Sequence, residues 1–363
     1  MLESFANFLQ NTGLYALISS GGIDAVKTII MIAIACVLLY LAIVKKFEPL
    51  LLLPIAFGML LSNLPMIKDS SAIMMHTEFF TNPEYMTDGK YINVGYICQH
   101  GGLLDLLYLG VKLGIYPPLI FVGIGCMTDF GPLIANPKSI LLGAAAQFGV
   151  FFTFVGALVL SALVPSINFG IKEAASIGII GGADGPTAIY VTKSLAPALL
   201  PAIAVAAYSY MALIPVIQPP IMKLMTRKKD RMIVMEQLRP VSKTEKILFP
   251  IIVTIIVALI IPDAVSLVGC LMLGNLMKES GVVERLTKMA QNELMNIITL
   301  FLGVTVGATA TASSFLSAQT IGIIVLGLIA FCFSTAGGLF LGDIMCWVTK
   351  GKVNPLIGSA GVS

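Results

Sequence analysis

Residues 181–187, with the sequence G-G-A-D-G-P-T, place the carboxylate of Asp184 between glycines and a proline in an apolar segment. In lipid such a carboxylate is costly, and it marks a path for ions or protons by default. Gly and Pro interrupt a helix here and free backbone carbonyls, and a hard cation such as sodium binds a mixture of carboxylate and carbonyl oxygens. The alternative is a solvated turn at a helix end, where Asp-Gly-Pro is common.

A second acid, Asp129, lies in residues 127–132 (M-T-D-F-G-P), again beside Gly and Pro in an apolar region. Two interpretations stay open. Asp129 is a structural or ion-path residue, or it caps a helix end near the cytoplasmic surface, since Lys138 is close in sequence. Asn136 is also a possible structural or ion-path residue. It follows in A-N-P-K-S-I-L-L-G at 135–143, which loosely matches V-N-P-L-I-G-S-A-G at 353–361 and predicts an internal repeat.

Asn354, Gly358 and Ser363 form a third group near the last residue of the sequence. On a helix Asn354 and Gly358 lie one turn apart, and Ser363 falls on nearly the same face. This stripe of amide, bare backbone and hydroxyl can present oxygens to a cation. Small residues also allow close helix packing in membranes, and the residue types alone favour packing.

Tyr208 and Tyr210 lie in the sequence A-Y-S-Y-M within an apolar span. A buried phenol needs a hydrogen-bond partner and can relay a proton. Tyrosines in membrane helices more often belong to an aromatic belt at the membrane surface. The residues alone leave both interpretations open.

The sequence argues against several other kinds of site. None of the six cysteines forms a C-x-x-C pair, and the two histidines, His76 and His100, lie in a polar loop. We therefore expect no zinc or haem site and no disulfides. The G-K-[ST] ending of a phosphate loop is missing after G-G-A-D-G-P-T, and we expect no nucleic-acid partner.

The elements that must position these residues are membrane helices. The chain of 363 residues is 57% hydrophobic and 11% charged, with a mean hydropathy of +0.95. A soluble domain carries roughly 25% charged residues, so lipid is the solvent for most of this chain. A spanning helix needs about 20 mostly apolar residues. Apolar stretches lie at 28–44, 49–64, 103–126, 139–164, 199–217, 247–261, 264–277, 294–306 and 320–340.

The loop 223–246 is strongly basic, and short loops rich in Lys and Arg stay cytoplasmic. It can also dock an acidic partner or anionic lipid. With this loop inside, the acidic loop 68–100 falls outside, and residues 168–194 must enter the membrane from outside and return. Broken helices of this kind bind ions at the midplane of transporters, often within inverted repeats.

We therefore predict an all-α polytopic, transporter-like membrane protein with about nine to eleven membrane segments, including re-entrant broken helices and an inverted repeat. Its predicted parts are a first membrane half at 1–222, the basic cytoplasmic loop at 223–246 and a second membrane half at 247–363.

Several long strings resemble one known family. These are G-I-G-C-M-T-D-F-G-P-L-I-A-N-P at 123–137, G-G-A-D-G-P-T at 181–187, G-N-L-M-K-E-S-G-V-V-E-R-L at 274–286, A-Q-N-E-L-M-N-I at 290–297 and N-P-L-I-G-S-A-G-V-S at 354–363. They are similar to the β subunits of the oxaloacetate, methylmalonyl-CoA and glutaconyl-CoA decarboxylase sodium pumps. The likeness runs over nearly the whole chain.

The resemblance implies a function. A carboxyltransferase α subunit moves a carboxyl group to biotin on a carrier subunit, and the β subunit decarboxylates that carboxybiotin with consumption of a proton. This step drives sodium outward. The likeness implies that Asp184, Asn354, Gly358 and Ser363 bind sodium, and that Asp184, Tyr210 and Ser363 take part in catalysis and coupling.

The likeness also implies a location and partners. We expect a bacterial inner membrane, surrounding lipid, a small membrane anchor subunit and a homo-oligomer within the complex. The A-M-K-M type biotinylation sequence is absent, and the nearest string is T-K-M-A at 287–290, so biotin must come on the partner. The acyl substrate is chosen by the carboxyltransferase.

One departure from the family and two rival functions complete these expectations. Family members continue past the equivalent of Ser363 with further helices, so we expect the second half-repeat to be incomplete in this chain. A sodium-coupled solute transporter would share the broken helices and the acid in the membrane, but it would release no carbon dioxide from carboxybiotin. A passive membrane scaffold would not need Asp184 in an apolar segment.

Overall fold

The computed structural model describes residues 12–19, 21–65, 75–80, 82–87, 91–235 and 239–362. The first α-helices are α1 (Gly13–Ser19), α2 (Gly22–Ile43), α3 (Pro49–Asn63), α4 (Val94–His100), α5 (Leu103–Lys112), α6 (Tyr116–Met127), α7 (Gly131–Ala135), α8 (Ile140–Ala146), α9 (Phe148–Leu163), α10 (Ile171–Gly178) and α11 (Gly185–Leu195). The others are α12 (Leu200–Met225), α13 (Lys228–Arg231), α14 (Lys243–Ile260), α15 (Val265–Ser280), α16 (Glu284–Met289), α17 (Met295–Ala308), α18 (Ala312–Phe315) and α19 (Ala318–Val348).

Shorter elements connect these helices. The 3-10 helices are Thr77–Phe80, Pro83–Tyr85, Pro137–Ser139, Ile179–Gly182, Pro197–Leu199, Pro262–Ala264 and Pro355–Val362, and a π-helical turn lies at Ala290–Leu294. The strands β1 (Met86–Thr87) and β2 (Tyr91–Ile92) pair antiparallel, with Met86 opposite Ile92. The described residues contain no sheet core, so the prediction of a helical protein is confirmed.

The apolar character of the helix surfaces fits a membrane protein. Large hydrophobic side chains lie on the outside, and Phe151 and Leu259 are 68% and 78% exposed. Water would not tolerate so much exposed apolar surface, whereas lipid does. Three helices within the described part are long and apolar enough to span a membrane, namely Gly22–Ile43, Pro137–Leu163 and Ala318–Val348.

The predicted nine to eleven membrane segments and the inverted repeat are not confirmed. The described residues give three spans, or up to five if the bent pairs Leu103–Lys112 with Tyr116–Met127 and Pro197–Met211 with Val216–Met225 each count as one. Many apolar stretches form helices below the length of about 20 residues that a span needs. α15 has 16 residues and ends just before Gly281, whose φ is 70°, and α17 has 14 residues and follows directly on a π-helical turn.

The chain divides into two compact units. The first comprises residues 1–113 and 299–320, and the second comprises 114–298 and 321–363. In the first unit α3 and α17 pack backbone to backbone, because a Cβ atom added at Gly58 would lie 2.1 Å from the carbonyl oxygen of Val304. Asn63 strengthens this packing by donating its amide to the carbonyls of Met59 and Ala310, each at 2.8 Å.

A polar cluster closes the loop region of the first unit. The Asp105 carboxylate is fully buried and lies 2.6 Å from Nδ1 of His76. It also accepts the backbone N–H groups of His76 at 2.7 Å and Gly102 at 2.9 Å. The His76 ring stacks on Phe79 with centroids 4.6 Å apart. The loop is therefore held by one buried carboxylate.

The second unit contains the candidate site. On one side α6 and α15 pack closely, since a Cβ atom at Gly125 would lie 1.9 Å from the carbonyl oxygen of Leu271. On the other side, residues of α9, α10, α12 and α19 share an apolar core that includes the fully buried Ile177, Ile203 and Phe331. The segment 179–185 lies against this core.

Candidate ion-binding site

The Asp184 carboxylate sits at a break between two helices of the second unit. The 3-10 helix Ile179–Gly182 ends at Ala183, whose φ of 55° puts it in the left-handed region. Asp184 then caps α11: one carboxylate oxygen accepts the Thr187 N–H at 3.2 Å, and the other accepts the Thr187 hydroxyl at 2.5 Å. The predicted break at G-G-A-D-G-P-T is thus present.

The Asp184 carboxylate keeps capacity for a further ligand. It is half-buried, and Thr187 is its hydrogen-bond donor within the described part of the chain. An ionised carboxylate offers about four lone-pair sites, so roughly half stay free. Among the described residues, no Lys, Arg or His nitrogen lies within 4.0 Å of it. A bound cation or a proton can supply the missing positive charge.

The turn before Asp184 is held by α9 and α19. Ser334 on α19 donates its hydroxyl to the Gly181 carbonyl at 2.7 Å. A Cβ atom on Gly181 would lie 3.1 Å from the backbone of Gly149 and 3.3 Å from the Ala330 side chain. Small residues at these positions let three backbone segments meet, and the Ser334 hydroxyl holds the Gly181 carbonyl three residues before Asp184.

The C-terminal motif lies beside this turn. The 3-10 helix Pro355–Val362 contacts the 3-10 helix Ile179–Gly182, so the structure brings the Gly358 and Asp184 motifs together. Gly358 packs against α19, because a Cβ atom there would lie 1.9 Å from the Gly338 carbonyl oxygen. The assumed α-helical face is wrong: the helix is 3-10, with three residues per turn, and Asn354 precedes it.

The Asn354 side chain forms hydrogen bonds with the basic loop 223–246. Its amide nitrogen donates to the carbonyls of Arg231 at 3.1 Å and Ile233 at 3.0 Å, and its oxygen accepts the Leu356 N–H at 3.0 Å. In this conformation the Asn354 side chain is occupied by hydrogen bonds to the backbone of residues 231, 233 and 356. Ser363, the last predicted site residue, lies outside the described residues.

The two tyrosines of A-Y-S-Y-M have different surroundings. The Tyr210 hydroxyl donates to the Ile324 carbonyl on α19, and its ring lies 5.8 Å from that of Phe331. Tyr208 packs instead on the Asp184 motif, since a Cβ atom at Gly185 would lie 2.2 Å from its ring. Residues two apart on a helix point to opposite sides, so the pattern could not tell which tyrosine faces the site.

Asp129 and Asn136 lie at helix ends of the second unit. The Asp129 side chain is 58% exposed, accepts the Gly131 N–H at 2.9 Å and lies 3.4 Å from Nζ of Lys246. The Gly131 hydrogen bond, aided by attraction to Lys246, lowers the pKa of Asp129 below its ordinary value. The Asn136 carbonyl accepts the Ser139 hydroxyl at 2.7 Å. These contacts match the helix-end interpretation of Asp129, while a role on an ion path stays a prediction for both residues.

The donor set around Asp184 has a definite chemical character. The contacts found are those of one carboxylate with the hydroxyl and the N–H of Thr187, and carboxylate and hydroxyl oxygens suit a hard cation. Among the described residues there is no group of three or more His, Cys, Asp or Glu side chains that could hold a metal such as zinc.

The comparison with known families decides the affiliation. Residues 27–363 match the family model described as "Na+-transporting oxaloacetate decarboxylase beta subunit".

The chain belongs to this family.

Individual members of this β-subunit family are similar over nearly all of the chain. The methylmalonyl-CoA decarboxylase subunit beta of Propionigenium modestum is 55% identical over 363 residues, which cover 100% of this chain and 88% of the relative. The glutaconyl-CoA decarboxylase subunit beta of Acidaminococcus fermentans is 54% identical, covering 92% of this chain and 80% of the relative. The oxaloacetate decarboxylase beta chain of Klebsiella pneumoniae is 49% identical, covering 100% and 88%.

These relatives confirm the resemblance found in the sequence. They are decarboxylase β subunits, and the apolar helices fit a membrane location, so this chain is a membrane decarboxylase subunit.

Proposed function

We propose that this chain decarboxylates carboxybiotin carried by a partner subunit and couples that reaction to sodium export across the bacterial inner membrane. The observation that supports this most directly is the Asp184 carboxylate. It is half-buried in an apolar unit, keeps free lone pairs and lacks a cationic side chain among the described residues. Such a group is stable only if a cation balances its charge or a proton neutralises it.

Competition between sodium and a proton at Asp184 provides the coupling. Decarboxylation of an N-carboxylated ureido group releases carbon dioxide and leaves a nitrogen that takes up a proton. Removal of a proton from Asp184 leaves a carboxylate that can bind sodium, and return of a proton releases the ion. The reaction and the transport step are then linked through one side chain.

The remaining proposed site residues rest on the family likeness. Tyr210 and Ser363 are proposed to handle the proton, and Asn354, Gly358 and Ser363 are proposed as further sodium ligands. Asn354 holds the Arg231 and Ile233 carbonyls here, so it must release them before it can bind an ion. A ligand role for Asn354 therefore implies a movement of the C-terminal motif against the basic loop.

The proposal requires partners. A carboxyltransferase α subunit loads biotin on a carrier subunit, and a small anchor subunit and further copies of the chain complete the complex. The basic loop 223–246 faces the cytoplasm, where the carrier arrives. The positive charge of this loop would increase the association rate of a carrier subunit that has an acidic surface.

The test is the rate of carboxybiotin decarboxylation against sodium concentration. Asp184→Asn keeps the shape and removes the charge, so we expect the assembled complex to lose its sodium-dependent activity. Asp263→Asn is the matched control at an exposed carboxylate, and it should keep most of the activity. An assembled Asp184→Asn complex with the wild-type sodium dependence would contradict the proposal, and sodium uptake without carbon dioxide release would favour a solute transporter.

A further inference from the structure

The Tyr208 hydroxyl is a buried polar group without a hydrogen-bond partner among the residues that the structure describes. Tyr208 is only 1% exposed. Buried polar groups are nearly always paired, so an unpaired one in a native protein points to a ligand or a functional role. An apolar phenylalanine would fill the same space without this unpaired hydroxyl.

The position of the ring directs this hydroxyl to the Asp184 turn. A Cβ atom added at Gly185 would lie 2.2 Å from Cε1 of Tyr208 and 2.7 Å from Cζ, the carbon that carries the hydroxyl. Glycine thus lets the outer edge of the ring approach the residue that follows Asp184. The carbon that carries the phenol oxygen therefore lies beside the residue that follows Asp184 in the chain.

Other unpaired hydroxyls in the second unit carry less weight. Thr153, Thr192 and Thr335 also have buried hydroxyls without a partner among the described residues. A threonine in a helix can rotate and donate to a carbonyl of its own helix one turn earlier. The Tyr208 hydroxyl lies at the end of a rigid ring, too far from its own helix backbone to form such a hydrogen bond.

We propose that the Tyr208 phenol oxygen is a ligand of the sodium ion held by Asp184. This inference rests on the proposed sodium site and adds a ligand from α12 to it. A neutral hydroxyl beside one carboxylate gives a site with a single negative charge, which a monovalent cation neutralises. The ion also supplies the partner that the buried hydroxyl lacks.

The experiment measures equilibrium binding of radioactive sodium to the assembled complex. Tyr208→Phe removes only the oxygen, and we expect sodium affinity to fall about tenfold or more, since one ligand to a charged group is lost. Thermal unfolding without sodium should be unchanged or shifted to higher temperature, because no protein hydrogen bond is removed.

Tyr190→Phe is the matched control. Tyr190 lies on α11, and its hydroxyl is 2.8 Å from the Ser266 hydroxyl, so the same chemical change there should leave sodium affinity at the wild-type value. Wild-type affinity in Tyr208→Phe, together with lost binding in Asp184→Asn, overturns the ligand role and leaves the proposed function standing. Unchanged binding in Asp184→Asn overturns both.

Discussion

Gly182 and Gly185 belong to the same motif but have opposite surroundings. A Cβ atom at Gly185 would lie 2.2 Å from the Tyr208 ring, whereas one at Gly182 would meet no atom within 4 Å. Gly185→Ala should therefore destabilise the protein by about 1–3 kcal/mol, the usual range for overpacking. Gly182→Ala should leave stability nearly unchanged. Thermal unfolding of the two variants in detergent tests this, and equal losses would contradict the described packing.

The helix break at Asp184 was predictable from the flanking Gly and Pro, whereas the ion-binding role of Asp184 stays a prediction. Asp184 stood out because a lone acid in an apolar, helix-breaking segment is costly unless it binds an ion or a proton. Tyr208 did not stand out over Tyr210, because the choice depends on which face of α12 meets α11. That orientation is set by packing between distant segments, which a local pattern does not contain.

At the scale of elements, the loop before α5 depends on the pair formed by His76 and Asp105. Removal of the imidazole in His76→Ala leaves a fully buried carboxylate with only backbone donors. Loss of one partner of a buried charged group costs about 1.5–3 kcal/mol.

His100→Ala is the matched control for this pair. His100 is exposed, stacks on Tyr96 and lies 3.1 Å from the Tyr96 carbonyl oxygen. Its loss should lower the unfolding temperature much less than the loss of His76. A larger effect at His100 would show that the aromatic stacking, and not the buried carboxylate, holds the loop.

The positions of the elements along the chain were easier to predict from the sequence than the type of each helix. The apolar stretch at 28–44 is helical as far as Ile43, the end of α2, and the stretch at 320–340 lies within α19. The last motif formed a 3-10 helix, although its small residues gave no sign of the helix type. The contacts of Gly358 with Gly338 and of Asn354 with Arg231 join residues far apart in the chain, and neither spacing nor composition encodes them.

At the scale of the whole molecule, the predicted orientation in the membrane rests on the basic loop 223–246. Val234 in this loop is 91% exposed, which makes it a suitable labelling site. In a variant without the native cysteines, Val234→Cys should resist a membrane-impermeant thiol reagent added to intact cells. Tyr91→Cys, at a residue 69% exposed in the loop predicted to lie outside, should react readily. The reverse pattern would invert the topology.

The two compact units and the predicted membrane halves describe different properties. The division at 1–222, 223–246 and 247–363 concerns crossings of the membrane and stays a prediction. Each compact unit joins segments from two separate parts of the chain, because α17 and α19 return to helices formed much earlier. This association of separate segments could not be predicted from the sequence, since it arises from contacts between residues that are distant in the chain.

The left-handed backbone at Ala183 limits how this protein can diverge. Its φ of 55° is a conformation that glycine adopts freely and that asparagine and aspartate tolerate, whereas β-branched side chains are strained there. The test is a library in which codon 183 is randomised and cells are selected under conditions where growth requires a working decarboxylase complex. Variants with Ala, Gly or Asn at this position should survive, while those with Val, Ile or Thr should be lost. This restriction depends only on the backbone conformation at residue 183. Family members that act on different substrates should therefore show the same restriction.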